Sequence, residues 1–133
     1  MELVVVGTVR GPLKDRDAAP KQGDEGAPEA WLVFRPRWAA GLDGITAGDE
    51  LLVLTWLDRA RRDVLRVNPR GDPERRECGG FATRSPDRPN PSGLHRVTVL
   101  AVDGLRLRVR ALEALDGTPI LDVKPLLRTV DER

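Results

Sequence analysis

Leu94-His95-Arg96-Val97-Thr98-Val99-Leu100-Ala101-Val102-Asp103-Gly104-Leu105-Arg106-Leu107-Arg108-Val109-Arg110-Ala111-Leu112 is the run from which the fold is read. Two extended, β-branched segments flank Asp103-Gly104, a pair that favours the left-handed backbone of a tight hairpin. In the second arm Leu105, Leu107, Val109 and Ala111 alternate with Arg106, Arg108 and Arg110. A period of two is that of a strand with one buried face, and the other face is then a stripe of three arginines. That stripe is either solubilising or a contact for a polyanion.

Working outward, the same kind of signal recurs. Residues 2–9 are rich in β-branched side chains and read as a strand ending before Gly11-Pro12. Trp31 to Phe34 reads as a second strand, closed by Pro36, and residues 37–44 hold one helical turn before Asp43-Gly44. Glu50 to Leu57 is nearly continuous in apolar residues, the mark of a strand covered on both faces, although periodicity alone also permits a buried helix. Val64 to Val67 reads as a short exposed strand and Pro119 to Val123 as the last strand, ended by Lys124-Pro125. Many short strands with Gly, Pro and Asp-Gly punctuation, and no amphipathic helix, predict an all-β fold, a small barrel or sandwich. At 133 residues the chain suits one domain, assigned to residues 1–126, with a polar tail at 127–133.

Composition narrows the function classes. The formal net charge is +1, too small to draw nucleic acid by overall electrostatics, so any such binding rests on local clusters. Residues 58–77 hold seven arginines against five acids, which is first of all a solvated face and otherwise an edge for RNA phosphates. The lone cysteine, Cys78, forms no internal disulfide and fits a reducing cytoplasm; one histidine and one cysteine cannot supply a zinc site. No run approaches the roughly 20 apolar residues of a membrane span. A dinucleotide fingerprint, a P-loop and a nucleophile elbow are all missing. His95 reads equally as a solvent-facing strand residue and as a base.

The segment from Gly80 to Leu94 cannot be regular structure, because Pro86, Pro89 and Pro91 each fix φ and lack an N–H. It is a stiff loop carrying Arg84, Arg88 and Asn90, groups that recognise anions and heteroaromatic rings. As a string it resembles the signature of the TrmO (TsaA-like) family of S-adenosylmethionine-dependent tRNA methyltransferases, G-V-F-A-T-R-S-P-x-R-P-N-P-I-G-L, departing at Gly80 and Ser92. Leu115-Asp116-Gly117-Thr118-Pro119-Ile120-Leu121-Asp122-Val123-Lys124-Pro125 is similar to that family's L-D-G-T-P-L-L-D-I-K-P, and Ala19-Pro20-Lys21-Gln22-Gly23 to its A-P-x-Q-G.

The resemblance implies a β-barrel of mainly antiparallel strands with long loops, working as a homodimer in the cytoplasm. It implies S-adenosyl-L-methionine as cofactor, and as substrate N6-threonylcarbamoyladenosine beside the tRNA anticodon, methylated on N6. Carried over residue by residue, it puts Pro20, Lys21, Gln22, Asp58, Arg59, Arg84, Leu94, Leu112 and Glu113 at the cofactor. Asn90, Asp116 and Lys124 become candidate catalytic groups, with Arg88 and Asp122 on the substrate; for Asp116-Gly117 a plain turn is an equal reading. Leu57-Asp58 stands where the family has Phe-His, and Leu126 where it has Tyr. Those departures leave two other functions open, methylation of a small molecule and a non-catalytic module that binds S-adenosylmethionine or RNA.

Overall fold

A computed structural model describes residues 1–14 and 28–127. Pro20, Lys21 and Gln22, and the tail from residue 128, lie outside the described residues. Six strands, β1 (Gly7–Arg10), β2 (Ala30–Phe34), β3 (Glu50–Trp56), β6 (Ser92–Asp103), β7 (Arg106–Arg110) and β8 (Pro119–Pro125), make one antiparallel sheet. Their order is β1-β2-β7-β6-β3-β8, and β8 pairs back onto β1 through Gly7↔Ile120 and Thr8↔Pro119, so the sheet closes on itself. A separate two-stranded ladder joins β4 (Arg66–Val67) to β5 (Cys78–Gly79). Short 3-10 turns are the only helices among the described residues.

Alternation decides which side chains fill the interior. Leu107 and Val109 are fully buried while Arg106, Arg108 and Arg110 are exposed, as the period of two requires. Val9, Leu32, Val53, Val97 and Ile120 point inward from the other strands, and such fully buried aliphatic side chains each stabilise the fold by about 1.5–3 kcal/mol. At the end where β3 begins, Leu42 and Ile45 pack against this core. They follow a 3-10 turn over Pro36–Leu42, whose first-turn proline loses no hydrogen bond.

Several expectations are corrected by the structure. The first strand is shorter than its apolar run, since only Gly7–Arg10 joins the ladder with β2 and Leu3 and Val4 stay exposed. The hairpin register pairs Asp103 with Arg106, which makes the two loop residues Gly104 and Leu105. Gly104, with φ 59°, supplies the left-handed first position that a II′ loop needs. β3 is covered on one face only: Leu51, Val53 and Thr55 are buried, whereas Leu52, Leu54 and Trp56 are half-buried on the outside. Of Val64 to Val67, only Arg66 and Val67 form a strand, because Cys78–Gly79 offers just two partners.

Candidate functional site

A cavity of about 420 Å³ opens at the end of the closed sheet where β3 runs out and β6 begins. That is within the range of roughly 300–1,000 Å³ that holds a small organic ligand. Three segments build it: Leu57 to Ala60 after β3, the proline loop with the first residues of β6, and Glu113 to Thr118 between β7 and β8. The last of these is thrown across the sheet end by Ala111, whose φ of 67° ends β7. Left-handed backbone at a residue with a Cβ costs about 1–2 kcal/mol, so the surrounding packing must hold it there.

The buried polar side chains cluster at this end. Among the described residues they are Thr55, His95 and Thr118, and the last two line the cavity. His95 is not a solvent-facing residue: it is 5 % exposed, in register with Val53 on the inner face. Its Nε2 lies 2.7 Å from the Thr55 hydroxyl and its Nδ1 2.5 Å from Glu113 Oε1. Sequence reading left this histidine open, yet the signal existed, since it has the same parity along β6 as Val97 and Val99.

The proline loop is held by guanidinium groups bound to carbonyl oxygens. Arg88 donates from Nη1 to the carbonyls of Thr83 and Ser85 and from Nη2 to that of Gly80, at 3.0–3.1 Å. Arg62 donates to the Pro89 carbonyl at 2.7 Å and to Asn90 Oδ1 at 3.1 Å, with its guanidinium 5.2 Å from the Trp56 ring centre. The backbone bond from Arg88 N–H to the Arg61 carbonyl, 3.0 Å, joins the loop to the arginine-rich segment. Part of that segment is therefore a brace for the loop.

Asp116 fastens a different edge. Its Oδ1 accepts the Gly11 N–H at 3.0 Å and its Oδ2 sits 2.9 Å from Lys14 Nζ, with Arg10 at 3.9 Å. The Lys14 carbonyl in turn accepts from Arg59 Nη2 at 2.8 Å. Lys14's ammonium first, then the Gly11 N–H, hold the Asp116 carboxyl below its ordinary pKa. A carboxylate so depressed contributes stability above the unfolded-state value, near pH 4, and loses it as pH falls through its lower folded value. Asp116→Asn is expected to melt below the parent protein at pH 7, with the gap closing below about pH 4. Thermal melts across pH check this, and a gap independent of pH counts against the clamp.

Of the residues expected at a site, Asp58, Arg59, Arg84, Arg88, Leu94 and Glu113 come together around the cavity. Leu112 is buried in the core beside Glu113. Asn90 and Asp116 do not line the cavity; Asn90 is bound by Arg62 and Asp116 by Gly11 and Lys14. Asp122 and Lys124 are exposed on β8 and paired with each other at 3.5 Å. No group of three or more His, Cys, Asp or Glu able to hold a metal occurs among the described residues. Nor is any helix among them long and apolar enough to cross a membrane.

Comparison with known proteins adds a family to this fold. The family model described as the tRNA-methyltransferase O N-terminal domain matches residues 8–132. A protein of Archaeoglobus fulgidus called a probable S-adenosyl-L-methionine-binding protein is 46% identical over 131 residues, 98% of this chain and 35% of that one. One of the same name from Methanothermobacter thermautotrophicus is 45% identical over 126 residues, covering 95% of this chain and 90% of that one. A crystal structure of TrmO from Pseudomonas aeruginosa superposes with a TM-score of 0.78 at 25% identity, over 100% of this chain and 60% of that one. The chain thus spans about a third of the first of these relatives and three fifths of the solved structure.

Proposed function

The chain belongs to the tRNA-methyltransferase O family, matched at its N-terminal domain, and from that premise we propose that it binds S-adenosyl-L-methionine in the cavity beside Arg84 and transfers its methyl group. The observation that carries this reading is the cavity's charge pattern. Arg59 and Arg88 are already committed to the Lys14 carbonyl and to the loop carbonyls, and one oxygen of Glu113 is committed to His95. Asp58 and Arg84, one of each sign, have no side-chain hydrogen bond or ion pair among the described residues and both line the cavity. Opposite free charges suit the carboxylate and ammonium of an amino-acid tail. Between them Leu57, Pro86, Leu94, Ala114 and Leu115 offer apolar surface for a purine ring. Pro20, Lys21 and Gln22 are assigned to the same ligand.

Bound there, S-adenosyl-L-methionine supplies a methyl group on a sulfonium, whose sulfur departs neutral and needs no acid. What the protein then contributes is alignment, and the braced proline loop is suited to it because its shape is fixed before the ligand arrives. The acceptor is N6 of N6-threonylcarbamoyladenosine beside the tRNA anticodon. That nitrogen is acylated and weakly nucleophilic, so a proton acceptor or an oriented hydrogen bond is needed as well, with the carboxylates of Asp116 and Asp122 put forward for it, Lys124 as an anion contact to the threonyl carboxylate, Asn90 as a further candidate catalytic group, and Arg88 with Asp122 on the substrate side. The protein works as a cytoplasmic homodimer of β-barrels formed by residues 1–126. Phe81 and Leu65, 82 % and 66 % exposed, are apolar side chains for a partner to cover.

Mass spectrometry of tRNA nucleosides from a deletion strain is the test. N6-methyl-threonylcarbamoyladenosine should disappear and its unmethylated form accumulate; an unchanged nucleoside profile sinks the tRNA substrate. One observation favours a second reading, a protein that binds S-adenosylmethionine without transfer: none of Asn90, Asp116 and Lys124 lines the cavity. Calorimetric binding without methylation of any tRNA is its signature.

A further inference from the structure

We propose that His95, backed by Thr55, is a positioning residue that holds the Glu113 carboxylate in the cavity wall to accept a hydrogen bond from a hydroxyl or ammonium of the bound ligand. The inference rests on the cofactor reading above. Three elements converge on this one carboxylate. Thr55 comes from β3, next to the register shift that β3 makes against β8 between Leu54 and Thr55. His95 comes from β6, and Glu113 from the segment beyond Ala111, pinned between the buried Leu112 and Ala114.

The polarity of the chain follows from its end. An ionised Glu113 only accepts, so His95 Nδ1 carries the proton that it shares at 2.5 Å, and in the neutral ring Nε2 accepts the Thr55 hydroxyl. Glu113 Oε1 is then used and Oε2 is left for a donor in the cavity. The fold reserves space for this arrangement: a Cβ on Gly93 would lie 2.3 Å from Thr55 Oγ1 and 2.6 Å from His95 Nε2. Stability alone does not ask for it, because apolar side chains beside Val53 and Val97 would serve as well as a buried imidazole and carboxylate. Without the ring a glutamate has three free torsions, and ordering it would be charged against ligand binding.

Calorimetry with S-adenosylmethionine on the full chain reads the effect. His95→Gln places its amide near Nε2 and keeps a partner for Thr55, but it loses the donor to Glu113; affinity should fall about tenfold, the scale of a hydrogen bond to a charged group. Glu113→Gln should fall at least as far. The double variant should bind no more than about twofold more weakly than Glu113→Gln alone, because His95 acts through Glu113. His95→Asn, whose amide nitrogen sits near Nδ1, should recover most of the loss. Thr55→Val, which removes only the hydroxyl behind the ring, provides the same comparison if circular dichroism shows His95→Gln unfolded. Parental affinity in these variants, or losses that multiply fully in the double variant, overturns the positioning role. A parent protein that gives no heat with S-adenosylmethionine overturns the cofactor reading itself, and this inference with it.

Discussion

Gly93→Ala is expected to destabilise the protein by about 2–6 kcal/mol and to remove ligand binding. The new Cβ would stand 2.3 Å from the Thr55 hydroxyl, 2.6 Å from His95 Nε2 and 3.1 Å from Leu57 Cδ2. Thr55 is stiff at χ1 and fully buried, and His95 is fixed at both nitrogens, so neither of these two can step aside cheaply. Overpacking costs about 1–3 kcal/mol and a buried polar group left without its partner about 1–3 more. Gly79→Ala is the control, since no atom lies within 4 Å of its Cβ position and φ there is −64°. It should change stability by less than about 0.5 kcal/mol. Urea unfolding of both variants decides the matter, and a Gly93→Ala loss below 1 kcal/mol would mean that the Thr55 and His95 pair tolerates displacement.

The strands were legible where a local rule has only one solution. Leu105 to Arg110 alternates strictly beside a glycine able to take φ 59°, and the chain folds there as read, with the loop one residue later. β3 was legible as a strand but not as half-covered, because a nearly continuous apolar run carries no alternation to tell its buried face, Leu51, Val53 and Thr55, from its outer one, Leu52, Leu54 and Trp56. The arginines resisted sequence reading as well. Arg59, Arg62 and Arg88 each donate to a carbonyl, and that of Arg62 lies 27 positions away and that of Arg59 45. A backbone oxygen carries no residue type, so no pattern in the sequence announces such a brace. The cavity wall was legible through the resemblance at Arg84, Leu94 and Glu113, whereas His95 needed its strand's inward face to be fixed first.

Bracing the loop falls to Arg62 and Arg88, and Arg84 stands apart from it. Arg62 and Arg88 spend their donors on the loop, and exchanging either would change its shape along with any affinity. Arg84 spends none among the described residues and sits on the loop face that lines the cavity. Its removal should leave the fold intact and reach the ligand alone.

Arg84→Ala should lower the affinity for S-adenosylmethionine by about thirty- to a hundredfold while the urea midpoint stays where it is. A bidentate guanidinium and carboxylate pair in a partly enclosed cavity is worth roughly 2–2.7 kcal/mol, which is that ratio. Arg84→Lys keeps the charge but not the planar fork, so its loss should fall between the two. A ligand comparison then separates lost pairing from a disturbed cavity. Decarboxylated S-adenosylmethionine lacks the group that Arg84 is assigned to hold, so it should bind the parent protein far more weakly than the intact cofactor and the Arg84→Ala variant almost equally. If the variant instead loses the same factor for both ligands, Arg84 shapes the cavity without meeting the carboxylate; if neither affinity moves, Arg84 is outside the site and the free positive charge at the cavity needs another owner.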